Sequence, residues 1–390
     1  MNSPFSAPRL AAAGILLLGS ATAALAGDIV QRKDGTFYPP IAGETPEAGD
    51  FSNSNIKVLD ADMDEVPYQM TLKDKKLTQK YKASEVMEIW LETSQYPGPW
   101  KDAVTALNTG NYADAARAFR SIGDEKRVHP VVRQKALLNA ARASAGTGNM
   151  AQAAQAYAYV RQVFPRSFYT RAVLRDLTQA WMDAGDETKA LEAAGELEKV
   201  PGATDSDRIE ARFLRVTVAY RRAATARDEG GIRRALDEYR KIAGETAGKP
   251  DLSSVNALAR LGQANCALAL GDVKAAKSLF QEISEITGVD NAALAAAFNG
   301  LGECWFRQND KEGWTEARRM FLRTVVRYAD GAPSEEVARA LYFAGDCFQR
   351  LQDSEDWKDR ARRELSECER RFPQSEWARK ARDVRQALPK

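Results

Sequence analysis

The sequence holds one histidine and four cysteines in 390 residues. That is little raw material for metal chemistry. Cys266, Cys304, Cys347 and Cys368 all fall in the last third, at spacings that match no zinc or redox motif. No nucleophile elbow, phosphate-cradling glycine loop or metal-binding histidine pair is present. His129 stands just before Pro130, without the orienting carboxylate and nucleophile that a catalytic base needs nearby. Neither sign of charge dominates: the formal net charge is +2 at pH 7, well short of the clustered basicity of a nucleic-acid binder. After residue 26 no run is apolar enough to span a bilayer. These absences predict no catalytic residue, no metal ligand, no cofactor, no nucleic-acid partner and no integral membrane segment in the mature chain.

What is present begins with an export signal. Arg9 gives a positive flank, Leu10 to Leu18 an apolar run, and Ala24-Leu25-Ala26 the small-x-small pattern that a signal peptidase accepts. Residues 1–26 therefore read as a signal peptide, cleaved before Gly27, which implies a periplasmic or secreted protein. No cysteine follows that point to take a lipid.

Residues 27–95 read as a small β-rich domain. Asp28 to Gln31, the stretch through Tyr38 after a Lys33-Asp34-Gly35 turn, Asn55 to Leu59, Val66 to Leu72 and Lys80 to Leu91 are candidate extended segments. Residues 27–100 carry 13 acidic and 8 basic side chains, a balance of −5, and residues 101–390 carry +6. The modest difference fits ordinary solvated surfaces; the opposite signs also allow the two regions to dock, or the second to attract an acidic partner. The acids Asp60, Asp62, Asp64 and Glu65 lack the glycine and terminal glutamate of a calcium loop and read as a solvated turn.

Residues 96–390 are helical and repetitive, with about seven helical hairpins expected. The unit is a turn glycine, then a helix carrying an alanine and, four residues on, a large side chain. Gly110, Ala115 and Phe119 form the first copy, and Gly148, Ala153 and Tyr157 the second. Gly185 and Ala190 follow, then Gly230, Ala235 and Tyr239, then Gly271, Ala276 and Phe280. Ala317 with Phe321, and Ala361, mark the last two. Alanine lets helices approach closely, the aromatic fills the space on the same face, and Asn or Asp after the glycine suits a helix start. A lone hairpin leaves an apolar face exposed, and stacking buries it. The fold class predicted is an all-α superhelical solenoid with a small N-terminal β-rich domain. Three cysteines recur at one repeat position and read as small buried residues. Cys347 and Cys368, expected on adjacent helices, form a candidate disulfide.

These repeats resemble the tetratricopeptide repeat family over about three quarters of the chain, with a period longer than the usual 34. "GDIVQRKDGTFY" and "YKASEVMEIWLE" resemble the ends of a small β-module found ahead of repeats in exported bacterial proteins. "VFPRSFYTRAVLRDL" and "RRFPQSEWARKARD" are similar to bacterial envelope repeat proteins, such as the partner of TolA and a subunit of the β-barrel assembly machinery. The resemblance implies a right-handed superhelix whose concave face holds a peptide segment or helix of an envelope protein. Arg221, Arg222, Arg233 and Arg234 are the candidate partner-binding residues, able to meet carboxylates. The rival readings are structural homo-assembly, and a glycan-binding or wall-associated enzyme accessory. Exposure of Trp90 and Trp100 would favour the glycan reading.

Overall fold

The computed structural model describes residues 28–32, 37–38, 56–72, 75–91, 93–249, 252–286, 289–329, 334–373 and 375–389. The expected signal peptide and the Lys33-Asp34-Gly35 turn lie outside them. The described residues fall into two compact units that divide between Ala211 and Arg212.

The first unit opens with six short strands in two antiparallel sheets. Strands β1 (Ile29–Arg32), β2 (Phe37–Tyr38) and β6 (Val86–Trp90) form one, in the order β2-β1-β6. Strands β3 (Ile56–Val58), β4 (Glu65–Leu72) and β5 (Lys75–Lys82) form the other, in the order β3-β4-β5. Asp28 ties the sheets together: its carboxylate accepts from the Val58 N–H at 2.6 Å and its N–H donates to the Ile56 carbonyl at 3.3 Å. Pro67 explains where β3 stops. The Pro67 carbonyl accepts from the Leu59 N–H at 3.0 Å, so its missing N–H lies on that same side and the ladder ends. The sequence predicts one extended stretch from Lys80 to Leu91, whereas the chain breaks it at 83–85 into β5 and β6 and carries β5 back to Lys75.

Helices α1 (Pro99–Asn108), α2 (Tyr112–Asp124), α3 (Pro130–Gly146), α4 (Met150–Val163), α5 (Thr170–Asp183), α6 (Glu187–Leu197) and α7 (Asp205–Ala226) follow. The β-module is not separate from them. Val30, Val58, Val66 and Ile89 share one apolar core with Trp100, Phe119 and Val131. Gln134 of α3 is the polar joint. Its Nε2 donates to the Ala61 carbonyl at 2.9 Å, and its Oε1 accepts from Ser167 Oγ at 2.8 Å and the Phe168 N–H at 2.9 Å. The two charge signs noted in the sequence meet here: Arg166 pairs with Asp62 and Asp64, and Lys135 with Glu88.

In the second unit α7 packs on α8 (Glu229–Thr246), where Tyr239 donates to Thr217 Oγ1 at 3.0 Å. Further hairpins follow: α9 (Ser253–Ala269) with α10 (Val273–Glu285), α11 (Asn291–Phe306) with α12 (Lys311–Arg327), and α13 (Ser334–Leu351) with α14 (Trp357–Arg371). Helix α15 (Glu376–Ala387) covers the last pair, with Trp377 buried against Tyr342 and Phe343. Second helices bury one stripe, as in Ala276, Phe280 and Ile283 of α10, while the first helices α9 and α11 are buried almost all round.

The turns between paired helices share one geometry. A residue at positive φ precedes an Asn or Asp at the helix start. Gly110, Gly148, Gly185 and Gly271 supply that φ, near +80°, without a Cβ penalty. Gly230 does not. The left-handed residue there is Arg227, at φ +54°, followed by the cap Asp228, and Gly230 lies inside α8. The sequence reading placed the turn three residues late because it followed the glycine rather than the aspartate. Asn309 takes the same left-handed place before the cap Asp310, and Gln352 the left-handed place just after α13, four residues ahead of the cap Asp356 of α14.

Two further glycine positions explain the recurring cysteine setting. Four residues before Cys266 and Cys304, Gly262 and Gly300 lie under the rings of Tyr239 and Phe280, each from the preceding helix. Two residues before Cys304 and Cys347, Gly302 and Gly345 receive Phe321 and Leu365 from the following helix. Helix α11 is thus hollowed on both sides by missing side chains, α9 on the side of the preceding helix and α13 on the side of the following one. The cysteines are the small buried residues beside these hollows, and all four are free thiols. The expected Cys347–Cys368 disulfide is not formed. Cys368 donates instead to the Ala338 carbonyl at 3.3 Å, and Ala338 lies nine residues from Cys347 on α13, about 13 Å along the axis and beyond disulfide reach.

Candidate functional site

The repeat-packing residues lie in the interior. Ala115, Ala153, Ala190, Ala235, Ala276, Ala317 and Ala361 are buried, as are Phe119, Tyr157, Tyr239, Phe280 and Phe321. They hold hairpins together and offer nothing to a partner.

A set of ion pairs that the sequence reading passed over links the first helices of successive hairpins. In the first unit Arg142 of α3 binds Asp176 of α5 at 3.0 Å, and both are largely buried. Arg171 and Arg175 of α5 reach α7. Arg171 holds both oxygens of Asp207 at 3.1 Å, and Arg175 Nη2 binds Glu210 at 2.8 Å. In the second unit Arg339 of α13 binds Glu303 of α11 at 2.8 Å and Glu336 at 3.3 Å. Asn299 of α11 donates to the carbonyl and carboxylate of Glu336, at 2.9 and 2.7 Å. Burial works to lower the pKa of Arg339, but Glu303 and Glu336 outweigh it and hold the guanidinium above its ordinary value. Glu210 does the same for Arg175 against its burial. These side chains are committed to each other and act as braces.

The four candidate arginines gather at one end of the α7–α8 hairpin. Arg233 and Arg234 are exposed and make loose pairs within the hairpin, with Glu229 at 3.6 Å and Asp228 at 3.5 Å. Arg222 is exposed and Arg221 half-buried. Exposed pairs of this kind contribute between nothing and about 1 kcal/mol, so an incoming carboxylate can replace them at little cost.

The other sequence candidates are absorbed by structure. His129 caps α3, with Nδ1 accepting from the Val131 N–H at 3.3 Å. Asp62 accepts from the N–H groups of Asp64 and Glu65 and faces Arg166. Trp90 and Trp100 are only 2% and 5% exposed, which removes the flat aromatic platform that a glycan would need. Burial pushes the Cys304 and Cys368 thiols up to about 12, so neither is a ready nucleophile. Among the described residues no group of three or more His, Cys, Asp or Glu is placed to hold a metal ion. None of their helices is long and apolar enough to cross a membrane.

No protein-family model matches the chain, and no curated protein matches it. Solved structures do. A tetratricopeptide repeat protein from Parabacteroides merdae ATCC 43184 aligns at 13% identity and a TM-score of 0.43, over 74% of this chain and 99% of that one. A Rap protein complexed with competence and sporulation factor aligns at 12% identity and a TM-score of 0.40, over 74% of this chain and 95% of that one. The C-terminal part of a TPR repeat-containing protein from Cytophaga hutchinsonii aligns at 13% identity and 0.33, over 72% of this chain and 98% of that one. With its paired helices, shared turn geometry and alanine–aromatic stripes, this chain has a largely helical, repeat-like fold preceded by an antiparallel β-module.

Proposed function

We propose that the chain is a non-catalytic scaffold, exported to the periplasm or beyond, that holds a segment of another envelope protein. The observation that carries this reading is the series of hairpins braced by buried ion pairs between their first helices. Bracing fixes surface side chains from distant parts of the sequence on a rigid support, which lowers the ordering cost of association. The basic end of the α7–α8 hairpin is the surface we assign to the partner. Arg222, Arg233 and Arg234 there suit carboxylates on an acidic segment, which they can grip in bidentate fashion. The single histidine is engaged through Nδ1 as the cap of α3. Export rests on Arg9, the apolar run after it and Ala24-Leu25-Ala26.

The test is crosslinking of the tagged chain in cells, purification and mass spectrometry, beside an Arg222→Glu/Arg233→Glu/Arg234→Glu variant. One or two dominant envelope proteins, lost in the variant, are expected. Recovery of the chain only with itself would replace the reading with homo-assembly. Partners retained by the variant would remove the α7–α8 end from the role. A recovered chain whose N-terminus is Gly27 is expected from the export reading, and an intact Met1 would overturn it.

A further inference from the structure

Strand β5 is the feature that the scaffold reading leaves unused. Among the described residues it is the outer strand of its sheet, paired to β4 along its whole length and to nothing on the other side. Every residue from Lys75 to Lys80 is exposed. Four of its eight residues are lysines and none is acidic, within a segment whose balance is −5.

The register fixes what this edge presents. The Pro67 carbonyl points toward Leu59, so the odd-numbered residues of β4 turn their backbone groups away from β5 and the even-numbered ones toward it. Val66, Tyr68, Met70 and Leu72 therefore bond to Tyr81, Gln79, Leu77 and Lys75, their register partners. The backbone N–H and C=O groups of Lys76, Thr78, Lys80 and Lys82 are left pointing outward. Their side chains share the face opposite the core, since Val66 and Tyr68 are buried and pair with Tyr81 and Gln79. The edge thus offers outward hydrogen-bonding groups on the same residues that carry three of the lysines. Leu77, 42% exposed, lies on the other face, in the same row as Gln79 and Tyr81.

We propose that β5 is a docking edge for an extended acidic segment of a partner protein, which adds to the sheet as a further strand. A second copy of β5 would place lysines against lysines, which disfavours homotypic pairing. A strand with acids at every second position places them across from Lys76, Lys80 and Lys82, and its intervening apolar residues fall on the Leu77 and Tyr81 face. Backbone bonds supply affinity and the alternation supplies selectivity. This edge and the α7–α8 arginines belong to different units and share no residue, so its failure leaves the scaffold reading untouched.

The probe is a fluorescein-labelled peptide of about ten residues alternating Glu with Val or Thr, added to the purified full chain and read by anisotropy. Two controls accompany it: the same peptide N-methylated at alternate amides, and vesicles of phosphatidylglycerol. Two variants of the chain are compared. Thr78→Pro removes one outward N–H without breaking a bond to β4, and Lys76→Glu/Lys82→Glu reverses two exposed charges; circular dichroism checks that both remain folded. The expected result is saturable binding, weakened about tenfold or more by either variant and by N-methylation, with hydrogen-exchange protection appearing at 76–82. Absence of peptide binding to the unaltered chain would overturn the proposal. So would equal binding of the N-methylated peptide, which would reduce the contact to charge alone. Binding of the vesicles but not the peptide would assign the lysines to a lipid surface instead.

Discussion

At the residue scale, the turns separate backbone geometry from residue identity. Gln352 holds a φ of +46° with an exposed side chain, at the left-handed place after a first helix that four other hairpins fill with glycine. A non-glycine residue there costs roughly 1–2 kcal/mol. Gln352→Gly is therefore expected to stabilise the chain by about 1 kcal/mol in denaturant titration, and a loss of stability would show that the turn is not strained. The helical glycines behave in the opposite sense. A Cβ at Gly300 would run into the Phe280 ring, whereas one at Gly244, on the exposed side of α8, meets nothing within 4 Å. Gly300→Ala is expected to cost about 1–3 kcal/mol, and Gly244→Ala to be neutral or stabilising by up to about 1 kcal/mol. Equal effects of the two changes in thermal melts would contradict the account of the hollowed helices.

At the element scale, two joints can be tested. Gln134 serves both the β-module and the loop before α5, so Gln134→Ala leaves the Ala61 carbonyl and the Phe168 N–H without their partner. A cost of about 2–3 kcal/mol is expected. Hydrogen exchange should rise first in the stretch 58–66, and unchanged protection there would show that the apolar core alone fixes the module. Helix α15 is held by charge as well as by its buried Trp377. Arg385 donates to Glu369 of α14 at 2.6 Å and Arg382 does so at 3.3 Å. The hydrogen bond from Arg385 holds the Glu369 carboxyl below its ordinary value, against partial burial and with help from Arg382. A depressed carboxylate gives stability that is present above its unfolded pKa and is lost as pH falls through the folded one. Stability should therefore fall on going from pH 5 to pH 2. In Glu369→Gln that fall should be smaller, as read by urea unfolding at each pH.

The elements differed in how far the sequence revealed them. Second helices such as α10 were legible because Ala276 and Phe280 repeat one buried stripe next to a solvated face. Strand β5 was not, because an edge open to water on its lysine-bearing side shows no alternation of apolar and polar residues; residues 75–79 fell between the candidate extended segments. The set of bracing ion pairs was half legible. Arg171 and Arg175 stand one helical turn apart, and so do Asp207 and Glu210. Joining them across 35 residues requires the hairpin length, which composition does not give. The candidate arginines of α7 and α8 were noticed because they are adjacent in sequence. The bracing arginines are each separated by a whole hairpin from the acid they hold on the neighbouring first helix.

At the scale of the whole molecule, the ion pairs decide how the repeats may be rearranged. Each brace divides one interaction between two successive hairpins, with the guanidinium on one and the carboxylate on the next. Removing the α5–α6 hairpin (Thr170–Leu197) would take Asp176 from Arg142 and both arginines from Asp207 and Glu210. Breaking one buried pair from one side costs about 3–5 kcal/mol, so this deletion is expected to leave no folded chain at 25 °C by circular dichroism. A folded deletion product would show the pairs to be incidental. The hairpins are therefore not interchangeable beads. Duplication or loss of a braced unit, the ordinary route by which repeat proteins change length, strands a charge at its new seam, and the order of the α3–α5–α7 and α11–α13 hairpins is held by the charges they carry.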